Sequence, residues 1–357
     1  MAVGPTHFFA KPRTVFWEWL LFGSTSPLYS LLSRPLEISG QGSPAKISIA
    51  DTVFGLELES SPESPTGTVR EVSASGGRPG ELEDEAYLRF GVLLAYCYAL
   101  GVQDLHRDNV VPVGNRLQVI DAEVVFTKLL LPHETLLLPF KDATLSQSAL
   151  SHIIGGDGHI ELDKVLLILG GFTSAINGLD SCSERLIQLL SSELHKSMST
   201  PIRVILRDTR KYRDRGPFPV DSPLFLEEMV QLERDDIPYF FTRINDPRLY
   251  YLRDEMGTFE GVELPARFHN DLRRAANGPE QLLSRKRIRE ELLAPGIFLI
   301  LRKLLRPDVT LSWNFREFSL DAYSEKFALK SPWGNFTAVR TRVLEREKSV
   351  GNPLKRT

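Results

Sequence analysis

A short segment of the chain carries the residue types that phosphoryl transfer requires. Asp104 and Asn109 stand five positions apart, and an apolar stretch then leads to Asp121 after eleven intervening residues. Phosphoryl transfer needs a carboxylate beside the attacking hydroxyl, together with an amide and a second carboxylate on Mg²⁺. The spacing therefore predicts Asp104 as the catalytic carboxylate and Asn109 with Asp121 as metal ligands. Glu123 either adds to the metal shell or holds a neighbouring basic residue.

His106-Arg107-Asp108 matches the H-R-D letters of protein kinases, but its spacing to the metal-binding Asn is wrong. If Asp108 were the base, the metal-binding Asn would fall at position 113, which is Val113. Counted from Asp104, the order is D-x-H-x-x-N, which is similar to that of lipid kinases and their relatives. We therefore predict that His106 assists proton transfer or braces the loop by hydrogen bonds to backbone. Asp108 is predicted to be solvated or paired with Arg107.

The bulk composition is that of an ordinary globular protein. The chain has 357 residues, of which 42% are hydrophobic and 25% charged, and this length suits one large domain or two packed lobes. A net charge of −3 gives no electrostatic argument for nucleic acid or an anionic membrane as a partner. Two cysteines are too few for a disulfide framework or a zinc site, so a cytoplasmic location is expected. No apolar stretch approaches about 20 residues, so no membrane span is predicted.

Hydrophobic periodicity predicts how the candidate residues are positioned. Glu81 to Leu100 has acidic residues first and then apolar residues at three- and four-residue spacing, which predicts a helix ended by Gly101. A hairpin of Val110–Val113 and Leu117–Ile120, turned by Gly114-Asn115, then leads to the metal carboxylate. Thr14 is a plausible N-cap for a helix over residues 15–21. Further helices are predicted over residues 162–169, 182–194, 224–232 and 268–305, the last broken at Pro295.

Composition divides the chain into four regions. Residues 1–80 are predicted to hold a shortened N-terminal lobe and, at about 60–81, a flexible linker rich in Ser, Pro and Gly. Residues 81–240 form the predicted core, residues 241–345 a helical C-terminal extension, and residues 346–357 a disordered tail.

Several motifs agree with one family in their order and spacing. They are Lys11-Pro12-Arg13; Phe90 to Ala95 leading into Asp104-x-His106-x-x-Asn109; Ile120-Asp121-x-Glu123; Gly171-Phe172 as a helix start; Arg203-x-x-x-Arg207-x-Thr209-x-x-Tyr212; and Asp236-Ile237-Pro238-Tyr239-Phe240. From about residue 9 to 240, the chain resembles the dehydratase domain of type 2 (LanM-like) lanthipeptide synthetases, whose core is similar to lipid kinases. The resemblance implies an α+β, kinase-like two-lobed fold with a reduced N-lobe and a largely helical C-lobe.

The same resemblance implies an activity and its cofactors. A LanM-like dehydratase uses ATP and Mg²⁺ to phosphorylate Ser and Thr of a precursor peptide, and then eliminates the phosphate to leave dehydroamino acids. Lys11 would neutralise the ATP phosphates, the alternative being a surface lysine. Arg203 and Thr209 would serve elimination, although a structural salt bridge is a rival for Arg203. The segment from Asp236 to Phe240 is expected to be a packing element.

The chain also departs from the family pattern. Only ten residues precede Lys11, no glycine-rich phosphate loop is present, and the family's upstream D-x-H pair is missing. The D-x-H at Asp157 to His159 lies after the metal loop and is expected to be a surface turn. The N-lobe is therefore truncated, completed by a partner protein, or lost from the start of the chain; a separate protein would supply cyclase function. The alternatives are a catalytically degenerate module that binds a peptide or partner, and a small-molecule kinase.

Overall fold

The computed structural model describes most of the chain, with gaps. The described residues are 8–38, 47–62, 64–75, 77–80, 82–140, 145–154, 160–196, 200–205, 225–233, 238–244, 246, 248–252, 259–262, 274–304, 309–314, 326–331 and 334–340. They form a mixture of helices and small sheets, which is compatible with the predicted α+β class.

The N-terminal part combines a two-stranded sheet with three short helices. Strand β1 (Phe8–Lys11) pairs antiparallel with β2 (Gly67–Arg70). The prediction of a flexible linker over residues 60–81 is therefore wrong for β2. Its residues lie within the Ser/Pro/Gly-rich stretch, but Val69 is only 4% exposed, and its burial fixes the strand against the core.

Helix α1 (Phe16–Phe22) follows β1 directly, one residue later than predicted. The Thr14 hydroxyl accepts a hydrogen bond from the Phe16 backbone N–H at 3.2 Å, as a capping side chain does. Two hydrogen bonds fix α1 against distant segments, because Trp17 Nε1 donates to the carbonyl of Pro201 at 2.7 Å and Tyr96 donates to a carbonyl of α1 at 2.9 Å. Helices α2 (Tyr29–Leu32) and α3 (Ile49–Val53) complete this part.

The core is built on two long helices, α4 (Asp84–Leu100) and α5 (Leu162–Lys196). Their backbones approach closely, since a Cβ added to Gly91 would lie 2.0 Å from a carbonyl oxygen of α5 and one added to Gly171 would lie 2.0 Å from a carbonyl oxygen of α4. The two helices predicted over residues 162–169 and 182–194 are one continuous helix. Phe172 and the apolar residues that follow it are buried and continue the packed face across the glycines.

Helix α5 also bears on the membrane prediction. Residues Asp163–Lys196 are long and apolar enough to cross a membrane by length and composition, and 56% of the most apolar window is buried inside the protein. Core helices of globular proteins pass the same test, so this feature alone does not indicate a membrane span.

The segment after α4 has the predicted local structure. Helix α4 ends at Gly101, which has a φ of 67° and is left-handed, as expected of a glycine cap. A 3₁₀ turn at Arg107–Asn109 leads to β3 (Val110–Val113), which pairs antiparallel with β4 (Arg116–Val119). The hairpin prediction is thus confirmed, with the second strand one residue earlier. Three more 3₁₀ turns follow, at Pro132–Thr135, Leu145–Gln147 and Ala149–His152.

The C-terminal half contains strands that the sequence did not predict. A four-stranded antiparallel sheet has the order β5-β6-β7-β8, and a three-stranded sheet has the order β10-β11-β9. The strands are β5 (Ile202–Val204), β6 (Phe240–Thr242), β7 (Leu249–Leu252), β8 (Phe259–Val262), β9 (Val309–Asn314), β10 (Lys326–Ser331) and β11 (Gly334–Arg340). The prediction of a helical extension over residues 241–345 is therefore wrong for five segments, because β7 to β11 lie within it.

Among the described residues of this half, the helices are α6 (Phe225–Glu233), α7 (Pro279–Leu282), a π-helix (Arg287–Leu292) and α8 (Leu293–Leu304). Pro295 does not break the helix as predicted but lies inside α8. Proline has no N–H for the carbonyl of Glu291 four residues earlier, and the Tyr98 hydroxyl lies 3.4 Å from that oxygen. The departure from α-helical geometry lies instead in the π-helix immediately before α8, where the pattern of backbone hydrogen bonds changes.

Candidate functional site

Lys11, at the end of β1, contacts two acidic residues that are far apart in sequence. Its Nζ lies 2.9 Å from Glu18 Oε1 and 2.9 Å from Asp121 Oδ1, and it donates to the carbonyl oxygen of Ile120 at 3.0 Å. Its side chain is only 17% exposed. Lys11 is therefore not a free surface lysine, and it joins the N-terminal sheet to the segment after β4.

Glu18 is the central anion of this site and is absent from the predicted set. Its side chain is fully buried on α1, where it is the one charged residue between Phe16 and Phe22. Besides Lys11, its carboxylate accepts from Arg13 Nη2 at 2.5 Å and from Arg13 Nη1 at 3.2 Å. A lone carboxylate in an apolar helix must be paired when it is buried. The lone glutamate in this apolar helix was therefore the sequence feature that could have indicated Glu18 as part of the site.

Arg13 connects all the carboxylates of the cluster. In addition to its two bonds to Glu18, its Nη2 contacts Asp121 Oδ1, and its Nε lies 3.1 Å from Glu123 Oε1. The sequence resemblance included Arg13 in a motif without giving it a role. The guanidinium group suits this position because it presents several donors in one plane.

Arg203 enters the same cluster from β5. Its backbone N–H donates to the carbonyl of Glu123 at 3.0 Å, and its Nη1 lies 3.4 Å from Glu123 Oε1. The Arg203 guanidinium also lies 5.3 Å from the ring centroid of Tyr239, in a cation–π contact. Glu123 thus contacts two basic residues and Arg203 forms a salt bridge, and these are the contacts that the sequence left open as alternatives to metal binding and phosphate elimination.

These contacts shift the pKa values of the cluster. Burial opposes the charged form of Asp121, but Lys11 and Arg13 outweigh it, so the pKa of Asp121 lies below its ordinary value. For Glu123, burial and the nearby Asp121 charge outweigh the attraction of Arg13 and Arg203, so its pKa is raised. Burial, followed by the negative charge of Glu123, also raises the pKa of the Tyr239 hydroxyl.

The loop from Asp104 to Asn109 lies beside this cluster. Asp104 has a φ of 62°, a left-handed conformation that Asp tolerates better than most residues. The Asn109 side-chain Nδ2 donates to the carbonyl of Asp104 at 2.8 Å, which closes the loop, and the Ile120 N–H donates to the carbonyl of Asn109 at 3.0 Å. The second bond holds Asn109 next to the chain that carries Asp121.

His106 has a bracing contact within the loop. Its Nδ1 accepts from the Asp108 backbone N–H at 3.2 Å, while its Nε2 lies 3.9 Å from Asp104 Oδ1, too far for a hydrogen bond. The Asp108 side chain is 89% exposed, which agrees with the prediction that it is solvated.

Other predicted residues lie elsewhere or outside the described part. Gly171 and Phe172 do not start a helix, because α5 begins at Leu162 and carries them in its interior. Phe240 is buried in β6, in agreement with a packing role. Outside the described residues lie Arg207, Thr209, Tyr212, Asp236, Ile237, the D-x-H at Asp157 to His159, and the tail from 346 to 357.

A metal ion would meet a mixed set of ligands at this site. Among the described residues, no three His, Cys, Asp or Glu side chains are grouped closely enough to hold a metal. The predicted set instead combines one amide with two carboxylates. The Asn109 amide nitrogen is used by the carbonyl of Asp104, which leaves Oδ1 as a ligand atom. Glu123 Oε2 is buried without a hydrogen-bond partner in the described part of the chain. These atoms, with Asp121, fit Mg²⁺, which binds through one or two carboxylates and otherwise keeps water and phosphate ligands.

Comparison with known proteins identifies only part of this architecture. Residues 80–154 match the model of a family described as a domain of unknown function, DUF4135. No curated protein matches the chain. The matched region covers α4, the loop with Asp104 and Asn109, the hairpin and both Asp121 and Glu123, but not Lys11, Glu18 or Arg203. The charged cluster therefore extends beyond the matched region on both sides.

Proposed function

We propose that this protein is a LanM-like dehydratase. In this proposal it transfers the γ-phosphoryl group of ATP to Ser or Thr of a precursor peptide, and then eliminates the phosphate. The observation that carries the proposal is the double ion pair of Lys11 with Glu18 and Asp121, each at 2.9 Å. In protein kinases a strand lysine pairs with a helix glutamate beside the aspartate that binds Mg²⁺, and both contacts must be in place for catalysis.

The first step assigns roles to the residues around this ion pair. Lys11 and Arg13 are the cations available to the phosphate oxygens, which accept charge-assisted hydrogen bonds. Asn109, Asp121 and Glu123 would hold Mg²⁺, which when bound with ATP neutralises the charge that develops on the transferred phosphoryl group. Asp104 orients the attacking hydroxyl and accepts its proton. The left-handed backbone at Asp104 supports this role, since strained residues cluster at active sites.

The second step requires a base and a phosphate-binding group. The base takes the Cα proton of the phosphorylated residue, its electron pair forms the Cα=Cβ double bond, and the Cβ–O bond breaks to release phosphate. Arg203 suits the departing phosphate because guanidinium binds phosphate oxygens in pairs. Its 3.4 Å contact with Glu123 supports one shared site for both steps.

The family match gives limited support for the biosynthetic context. DUF4135 is associated with lanthipeptide synthetase-like proteins. This association agrees with the order of motifs from Lys11 to Tyr239. The substrate peptide, the ATP and Mg²⁺ requirement and a partner that completes the N-lobe or performs cyclisation all belong to the proposal.

A degenerate binding module is the second candidate. It is favoured by the charge balance of the cluster, in which three basic residues, Lys11, Arg13 and Arg203, face three acidic ones, Glu18, Asp121 and Glu123. A neutralised cluster of this kind is also what a purely structural ion network requires.

Thermal unfolding with and without Mg-ATP separates the two candidates. A ligand that binds only the folded state at a hundredfold excess over its Kd stabilises it by about 2.7 kcal/mol. We expect wild type to be stabilised and Asp121→Asn to lose the response. Asp108→Asn is the matched control, because it changes the same group in the same segment on a side chain that is 89% exposed. It should keep the full response.

The outcomes are distinct. A response in wild type that survives in Asp121→Asn would refute this metal site. No response in wild type at any nucleotide concentration would favour the binding module. A response confined to wild type and Asp108→Asn would justify mass spectrometry of Ser/Thr peptides for a gain of phosphate followed by loss of phosphoric acid.

A further inference from the structure

Arg13 is the cation that contacts all three carboxylates of the cluster. Its guanidinium group contacts Glu18 through both terminal nitrogens, contacts Asp121, and places Nε 3.1 Å from Glu123. These three carboxylates come from α1 and from the segment after β4. One side chain therefore ties the two predicted metal carboxylates to the buried helix.

The arrangement neutralises the carboxylates before any metal binds. Asp121 Oδ1 is shared by Lys11 and Arg13, and Glu123 Oε1 is shared by Arg13 and Arg203. A divalent ion entering beside these oxygens would be repelled by the cations, and repulsion at short distance is weakly screened in a partly buried site. Glu123 Oε2 is buried without a hydrogen-bond partner in the described part of the chain, and the contacts of Asp121 with Lys11 and Arg13 both use Oδ1. A metal that binds Asp121 Oδ1 or Glu123 Oε1 must displace a contact with Arg13, and a metal that binds the other oxygen of either carboxylate still lies close to the guanidinium group.

Lys11 and Arg13 contact different sets of carboxylates. Lys11 contacts Glu18 and Asp121, whereas Arg13 contacts both predicted metal carboxylates as well as Glu18. Phosphate oxygens offer a guanidinium group partners equivalent to carboxylate oxygens. Nucleotide phosphates entering the site would thus give Arg13 an alternative partner.

We propose that Arg13 is an internal counter-cation of Asp121 and Glu123 that opposes the binding of a divalent metal to these two carboxylates. The inference rests on the proposed function, since it takes these two carboxylates as the metal ligands. It adds that metal affinity is held low while Arg13 is in place. Removal of the Arg13 guanidinium group should therefore strengthen metal binding.

The test is Mn²⁺ binding in the absence of nucleotide, measured by calorimetry and by the loss of the free-ion electron paramagnetic resonance signal. We expect Arg13→Gln to bind Mn²⁺ at least about tenfold more tightly than wild type, because one neighbouring positive charge is removed. Arg13→Lys keeps the charge and should stay within about threefold of wild type. Arg70→Gln is the matched control, since it removes an arginine from an exposed pair with Glu57 and should change nothing.

Each result bears on a different part of the reasoning. Unchanged or weaker Mn²⁺ binding in folded Arg13→Gln, as verified by circular dichroism, would overturn the inference while a Mg-ATP response keeps the proposed function. Tighter binding that persists in Arg13→Gln/Asp121→Asn would also overturn it, because the metal would lie elsewhere. Absence of Mn²⁺ binding in all variants, with or without an ATP analogue, would overturn both proposals. Tighter binding that requires Asp121 supports the inference.

Discussion

Glu18→Gln is the substitution that most directly probes the buried cluster. Glu18 is fully buried and accepts hydrogen bonds from Lys11 and from both terminal nitrogens of Arg13. Glutamine keeps the shape of the side chain and one oxygen acceptor but removes the negative charge. The change therefore leaves two cations with one fewer counter-charge at a site that is largely closed to solvent.

The expected loss of stability follows from this environment. Removing one partner of a buried ion pair costs about 3–5 kcal/mol, because the remaining charge is left uncompensated. We expect about 3 kcal/mol, since glutamine retains an acceptor and Asp121 still faces both cations. The unfolding entropy of a 357-residue protein is roughly 0.7 kcal/mol/K, at about 2 cal/mol/K per residue. The corresponding decrease in Tm is about 4 °C.

Thermal unfolding of Glu18→Gln beside Glu57→Gln provides the assay. Glu57 pairs with Arg70, but its side chain is 55% exposed, and exposed pairs contribute about 0–1 kcal/mol. We expect a decrease of about 1 °C or less for this control, and a difference between the variants that survives 0.5 M salt, since buried charges are weakly screened. If both variants melt within about 1 °C of wild type, the cluster is solvated and the reasoning is wrong.

Three further predictions concern the helix pair, the β6–β7 connection and the proposed elimination step. Gly91→Ala should destabilise by about 2–3 kcal/mol in urea unfolding, because the added methyl group would lie 2.0 Å from a carbonyl oxygen of α5; Gly170→Ala, whose nearest neighbour is 3.7 Å away, should be neutral or slightly stabilising. The pKa of Asp246 is lowered to about 2 by hydrogen bonds from the arginine and tyrosine that follow it, so its stabilisation is present above pH 3.8 and lost as the pH falls through 2. Asp246→Asn should therefore cost about 1–2 kcal/mol at pH 7, and urea unfolding at lower pH should show this gap narrowing below pH 3.8; a constant gap would contradict it. Tyr239→Leu should accumulate phosphorylated peptide by mass spectrometry because Arg203 loses its cation–π partner, whereas Tyr239→Phe should not, and equal behaviour of the two variants would count against that contact.

The local structure around the loop was predictable from the sequence because short-range effects determine it. Apolar spacing defines α4, a left-handed glycine ends it at Gly101, and Gly114-Asn115 turns the hairpin. Each of these features depends on residues within a few positions of one another. The hairpin strands and the end of α4 accordingly fall within one residue of their predicted positions.

The structures that sequence reasoning missed depend on distant contacts. Helix α5 continues through Gly170 and Gly171 because close packing against α4 compensates for their low helix propensity. Strand β2 forms in a stretch of loop-like composition because β1 supplies its partner. Tertiary packing overrides local propensity in both cases, and the local sequence carries no record of the partner.

The candidate site shows the same division between local and distant effects. The motif spacing indicated Asn109 and Asp121, and the family resemblance indicated Lys11. Neither indicated that Glu18, on α1, would contact Lys11 beside Asp121. A charged residue inside an apolar helix does signal an unidentified partner. It does not identify that partner, because the contact between Glu18 and Lys11 depends on how β1 turns into α1.

The composition of the cluster bears on why it exists. Well-packed apolar residues often stabilise a protein as much as a buried ion network does, so stability alone is a weak reason for gathering six charged side chains here. The cluster joins β1, α1, the segment after β4 and β5, and opposing environments lower the pKa of Asp121 while raising that of Glu123. Two neighbouring carboxyl groups with separated pKa values are characteristic of functional sites. Within the cluster, Arg13 contacts both of these groups, and this is why its effect on Mn²⁺ affinity distinguishes a metal site from a structural ion network.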